Sequence, residues 1–298
     1  MMGRDARERV PSSLDDHRAR QSTFNASSQG QWDGFAGHRR AVSNLLGAGE
    51  VRGGEATRLC VLGAGNTNDL DLPGLLEAHR EVHLVDLDGE ALGMGATRQG
   101  VYEHPGLRLH GGLDVSSMLD AFSGWSPRAE VGPADLAAMA GWPSGRVALA
   151  LPGPFDRVAS TCLLSQLVET ACHVLGDRHP RIGEAVSAIR AGHLRLLARL
   201  TRPGGSATLI TDVVSTRSYP ALSNVPEQDY PDLLPRLARS RQHILGLHPG
   251  ELMAAIRGDS ALAGTLSGLE PIRPWGWRLH DRVYLVWAVR MKVGPGRW

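Results

Sequence analysis

Apolar positions along the chain fall into short unbroken runs separated by helical stretches, and that alternation predicts the architecture. Residues 58–62 (RLCVL) read as a buried strand stopped by Gly63-Ala64-Gly65. Residues 82–85 (VHLV) form a second, ended by Asp86-Leu87-Asp88, and residues 107–110 a third. A fourth spans 155–160 (FDRVAS), and a fifth spans 206–212 after the tight turn Arg202-Pro203-Gly204-Gly205. Helices are predicted over 72–79, with Pro73 in the first turn where its missing N–H costs nothing, and over 90–98. Others cover 133–140, 162–175, 182–200 and 248–257, while 219–239 reads as irregular or weakly helical. Two late strands, 271–277 and 282–291, are separated by a few polar residues. That gap is too short for a helical crossover, so the pair is expected to be antiparallel.

Upstream, residues 1–22 are polar and predict a frayed or helical arm. Trp32, Phe35, Val42, Leu45 and Leu46 recur at helical spacing, so 29–46 predicts an amphipathic helix or helix pair, followed by a glycine-rich joint over 47–54. The expectation is an α/β, doubly wound, mostly parallel sheet ending in an antiparallel hairpin. An arm and helical cap occupy 1–50 and the main domain 51–298, with an insertion at about 115–154 and a substrate-region segment at about 215–260.

Composition narrows the function. Of the 298 residues 42% are hydrophobic and 21% charged, which suits a well-packed domain. The net charge of +1 argues against a protein built to grip nucleic-acid backbone. Lys292 is the only lysine, a bias with no functional reading. Cys60, Cys162 and Cys172 make no CxxC pair, and an odd number suits a reducing compartment. Residues 1–20 are too charged for a signal peptide, and no apolar run approaches the roughly 20 residues of a membrane helix. A cytoplasmic protein with no membrane partner is expected. The 12 histidines form no HxH or HExxH, so no metal is expected.

In an open parallel sheet, ligands sit beyond the carboxyl ends of the strands. The first strand runs into GAGNTND, where Gly63 and Gly65 allow a tight turn and close backbone approach, and Asn66, Asn68 and Asp69 suit turns and caps. Asp86 ends the second strand about twenty residues on, where a carboxylate can accept both hydroxyls of a ribose. After the third strand, Asp114 could accept from an adenine amino group, with Leu113 and Val115 flanking the ring.

The runs LCVLGAGNTND, VHLVDLD, LRLHGGLDV, FDRVASTCLL and LTRPGGSATLI resemble, in order, the motifs of the class I S-adenosylmethionine-dependent methyltransferases. The resemblance implies a Rossmann-like fold whose sheet ends in an antiparallel seventh strand. It also implies S-adenosylmethionine as cofactor, held by Gly63, Ala64, Gly65, Asn66, Asn68, Asp69, Asp86, Leu87, Asp114, Val115, Ser160, Thr161 and Cys162. The family's acidic residue inside the first strand is Val61 here, and its third glycine is Thr67; Asp69 or Asp71 would then face the methionine ammonium. Metal-dependent members need an acid after strand four, where this chain has Ser160-Thr161-Cys162.

On the acceptor side, Trp32, Phe35 and His38 read equally as a staple or as a lid, with Arg39 or Arg40 near the cofactor carboxylate. Gln166 and Tyr219 are further substrate-binding candidates. Cys162 reads as packing before nucleophile. His243 and His248 are the candidate general bases, although many methyl transfers need none, since in-line approach supplies most of the advantage. A small-molecule oxygen or nitrogen acceptor is expected over a nucleic acid, since the net charge is near zero and no basic domain is appended. An NPPY-type motif, the mark of base or amide nitrogen methylation, is absent after strand four, and a homodimer stays open. Rival readings are an aminopropyl transferase, an NAD(P)-dependent oxidoreductase and a catalytically silent cofactor-binding regulator. The oxidoreductase fingerprint needs glycine where Asn68 stands.

Overall fold

The computed structural model describes residues 13–47 and 57–295. The start of the expected arm and most of the glycine-rich joint lie outside the described residues. Seven strands form one sheet: β1 (Arg58–Leu62), β2 (Glu81–Asp86), β3 (Leu107–Gly111), β4 (Phe155–Thr161), β5 (Thr201–Ser215), β6 (Leu266–Leu279) and β7 (Arg282–Val293). Their order is β3-β2-β1-β4-β5-β7-β6. Strands β1 to β5 pair in parallel, and β7 runs antiparallel to both β5 and β6. The chain steps outward from β1 to β3, then returns to β4 on the other side of β1. That reversal is a topological switch point, and the fold is the Rossmann-like doubly wound sheet with an antiparallel seventh strand.

Helices cover both faces: α1 (Leu14–Ser28), α2 (Ala36–Leu45), α3 (Leu72–Ala78), α4 (Gly89–Arg98), α5 (Leu119–Ser123), α6 (Pro133–Trp142), α7 (Leu163–Leu175), α8 (Ile182–Leu200), α9 (Tyr230–Ser240) and α10 (Pro249–Gly258). Alternation along β1 divides the core. Leu59 and Val61 pack with residues of α2, α3 and α4, whereas Cys60 and Leu62 pack with those of α7 and α8. Asp71 and Asp88 cap α3 and α4 by accepting from the backbone N–H groups of Gly74 and Ala91.

Several expectations shift. The described part of the polar arm is helical, one of its two expected forms, but the helix, α1, spans fifteen residues and runs on to Ser28. The helical spacing over 29–46 yields only α2, preceded by a turn containing Gly30 and Gly34. The segment 219–239 contains a full helix, α9, despite Pro235, because Leu233 and Leu237 bury one face. Strand β6 begins five residues before its expected start and carries Pro271 and Pro274, which the sheet edge tolerates.

Candidate functional site

Register sets the parallel strand tips level. Leu62 lies opposite both Val85 and Ser160, and Asp86 lies opposite Gly111. The glycine turn, Asp86 and the residues after β3 and β4 therefore open onto one place. A cleft of about 580 Å³, counting its mouth, lies there. Its floor and walls are Gly63, Asp86, Leu87, Leu113, Asp114 and Val115, with Leu119, Leu163, Gln166, Leu167 and Thr170 beside them. His17, Arg20 and Gln21 of α1 roof it.

Gly63 is required twice. Its φ is +77°, and a Cβ there would lie 2.7 Å from the Cβ of Leu163. Leu163 opens α7 directly after Cys162, which itself adopts a left-handed φ of +49°. That conformation strains a non-glycine residue and starts the helix hard against the glycine turn. Gly65 donates its N–H to Oδ2 of Asp86 at 2.8 Å, and Asp88 donates to Oδ1 at 2.9 Å. The Asp86 carboxylate is 5% exposed, and burial pushes its pKa up to about 6. It borders the cleft, oriented by two backbone donors.

Of the other sequence-derived cofactor positions, Leu87, Asp114 and Val115 line the cleft. The Asp114 carboxylate already accepts from the Ser116 N–H, the Ser116 hydroxyl and the Leu119 N–H. Asn66 and Asn68 do not border the cleft and instead hold α1, the helix that roofs it. Asn66 donates to the Asn25 carbonyl and the Ser28 hydroxyl, and Asn68 to the Ser28 carbonyl. Ala64 is buried. Thr161 donates to the Gly63 carbonyl at 3.1 Å and also bonds Asp69, whose pKa burial, with Asp86 nearby, pushes up to about 7. Ser160 is buried, its hydroxyl 2.8 Å from Nε2 of His193, and burial pushes the Cys162 thiol up, which makes it a poor nucleophile.

Among the acceptor-side candidates, Gln166 lines the cleft. Phe35 and His38 instead pack with Trp277, and Nδ1 of His38 accepts from Trp275 Nε1 at 3.0 Å. Trp32 lies under the guanidinium of Arg39, with Arg98 nearby, and Arg39 donates to the carbonyls of Trp32 and Asn68. Tyr219 joins a satellite cluster with Val214, Leu222 and Tyr230. His248 caps α10 through Nδ1 and places Nε2 against the Leu234 carbonyl; His243 sits between the Leu237 carbonyl and Glu251. Both histidines are committed to holding α9 against α10, and neither borders the cleft, so the structure does not bring them to the strand tips. No group of three metal-ligating side chains occurs among the described residues.

Sequence reasoning missed His17, Arg20 and Gln21. The available signal was polar: His17, Gln21, Asn25 and Ser28 recur at the spacing of one helix face. The lining has the chemistry of a nucleoside site. A fixed carboxylate suits ribose hydroxyls, the glycine turn admits close approach, and Leu87, Leu113, Val115 and Leu163 offer flat apolar contact.

No family model matches the chain, and no curated protein does. Solved structures do. One is the N-methyltransferase NodS from Bradyrhizobium japonicum, at 10% identity over 87% of this chain and 97% of that one, TM-score 0.42. Another is magnesium protoporphyrin IX methyltransferase from Synechocystis with bound S-adenosylhomocysteine, at 12% identity over 95% of each chain, TM-score 0.43. A third is an O-methyltransferase family protein from Burkholderia thailandensis, at 11% identity over 98% of this chain and 66% of that one, TM-score 0.44. At TM-scores below 0.5 nothing is transferred from them, and the fold rests on the chain's own strand order.

Proposed function

We propose that the cleft binds the adenosyl part of S-adenosylmethionine and that the chain is a methyltransferase acting on an oxygen or nitrogen of a small molecule. One observation carries this reading: the tips of β1, β2 and β3 meet in a single cleft around the buried, doubly oriented Asp86. The carboxylate accepts the ribose hydroxyls, and the apolar residues after β3 flank the base. Asp69, bonded to Thr161 and close to Asp86, is the carboxylate assigned to the ammonium of the amino-acid end, whose positive charge favours its ionised form. The bound cofactor supplies an electrophilic methyl group. The protein's part is to hold donor and acceptor in line and exclude water.

Calorimetry with S-adenosylhomocysteine tests the reading. Wild type is expected to bind, and Asp86→Ala to weaken binding by about 1–3 kcal/mol, the cost of leaving polar groups unpaired. Unchanged affinity in the variant removes Asp86 from the site. A larger rise in melting temperature with the decarboxylated cofactor than with S-adenosylmethionine would indicate aminopropyl transfer instead. Chromatographic detection of S-adenosylhomocysteine after incubation with candidate acceptors separates an enzyme from a silent binder.

A further inference from the structure

The roof of the cleft carries an unmet hydrogen-bonding group. His17 is 4% exposed and lines the cleft, and its Nε2 has no partner. Buried polar atoms in folded proteins are nearly always satisfied, so an enclosed orphan on a residue that lines a cleft points to a group arriving from outside the fold. Among the described residues five other buried side-chain atoms lack partners: Asn68 Oδ1, His173 Nε2, Arg190 Nε, His193 Nδ1 and Trp277 Nε1; His173 interacts electrostatically with His17. None of their residues borders this cleft.

Position says which end of a ligand would meet it. His17 interacts electrostatically with Asp114, and α1 packs on α5, so the start of α1 lies over the segment after β3. Asn25, two turns later, donates to Asp88 and lies against Gly65, at the ribose end. The helix thus runs the length of the cleft from base to glycine turn. At the base end the walls are Leu113, Val115 and Leu119, which offer stacking but no side-chain polarity. The one carboxylate there, Asp114, has three of its acceptor positions taken by Ser116 and Leu119. That leaves Asp114 a single acceptor position and no donor, so further base-edge hydrogen bonding falls to the roof.

We propose that His17 is a specificity-determining residue for the nucleobase: Nε2 hydrogen-bonds the edge of a purine held in the cleft, and α1 is the lid that delivers it. This rests on the adenosyl reading of the cleft. The bonds of Asn66 and Asn68 to Asn25 and Ser28 fasten the far end of the lid to the glycine turn. Closure and base recognition are therefore carried by one helix.

The test uses the full chain, calorimetry with S-adenosylhomocysteine and with adenosine, and melting of the ligand-free protein. His17→Phe keeps a ring and removes the polar nitrogens. It is expected to weaken both ligands about ten-fold, since the missing contact belongs to the base they share, while leaving the ligand-free melting temperature unchanged or higher. His17→Gln, which retains a polar end, is expected to recover much of the affinity. Wild-type affinity in His17→Phe overturns the proposal, and so does a fall in ligand-free melting temperature that accounts for the loss. If wild type binds neither ligand, the adenosyl reading fails; if Asp86→Ala is weakened and His17→Phe is not, only the lid contact fails.

Discussion

Asp86 has to be ionised to accept two hydroxyl donors, yet it sits where charge is disfavoured. Burial raises its pKa to about 6, while the N–H groups of Gly65 and Asp88 pull the other way and keep it from rising further. At neutral pH the carboxylate is therefore mostly charged and already aimed. Binding should follow that ionisation. Affinity for S-adenosylhomocysteine is expected to hold above pH 7 and to fall about ten-fold per unit as pH drops below about 6, because the protonated acid must first give up its proton. Asp86→Asn is expected to bind weakly at every pH and to lose the step near 6. A titration by calorimetry between pH 5 and 8 would show it; an undiminished step in the variant would hand the titration to Asp69, whose pKa is about 7.

Helices α1 and α8 show what periodicity reveals and what it hides. The strands and α8 were legible because their buried positions are apolar, and glycine or aspartate marks where β1, β2 and β3 stop. The tips that build the cleft were legible for the same reason. Helix α1 was not, since its buried residues are His17, Asn25 and Ser28 while Phe24 is half exposed. Nor could the sequence disclose that Asn66 and Asn68 face the lid, or that Asp114 is engaged by Ser116 and Leu119; those are tertiary contacts between ordinary turn residues. Pro231 and Pro235 disguised α9, whose existence is decided by the burial of Leu233 and Leu237. Packing also explains a glycine that periodicity treats as a flaw. Gly192 sits inside α8, where a Cβ would run into the Met139 carbonyl oxygen of α6 and lie 3.3 Å from Pro143. Alanine at an exposed helix site gains roughly 0.5–1 kcal/mol over glycine, but overpacking costs about 1–3 kcal/mol. Gly192→Ala is therefore expected to lose on the order of 1 kcal/mol, read as a lower urea midpoint at unchanged m-value. A midpoint at or above wild type would mean that α6 moves aside freely.

The sheet joins the two ends of the chain. Trp275 on β6 bonds His38 on α2, and Arg290 on β7 donates to the Leu45 carbonyl, so the N-terminal segment is pinned to the C-terminal hairpin while β1 to β4 build the cleft between them. The whole molecule consequently buries ionisable groups of both kinds, and their pH dependences oppose each other. Burial lowers His38 to about 3 and His193 to about 4, and burial also lowers His83 to about 4 despite its bond to Glu81. The unfolded chain takes up those protons first, so their contribution is present above pH 6.5 and is lost as pH falls toward 4. The raised carboxylates, Asp86 and Asp212 near 6 and Asp69 near 7, do the reverse: the folded state holds the extra protons, so stability falls as pH rises through that range. Over the interval between about 4 and 6.5 the two sets offset. Removing one member exposes the balance. In His193→Gln the hydrogen bond to Ser160 can persist, but the penalty of keeping a neutral imidazole in acid is gone. Relative to wild type, the unfolding free energy of this variant is expected to rise by about 1 kcal/mol for each pH unit between 6.5 and 4.5. Urea titrations of both proteins at pH 6.5, 5.5 and 4.5 measure that difference. A constant offset across the three would mean that His193 protonates in the folded protein as readily as in the unfolded one, and that it is not the neutral group its burial requires.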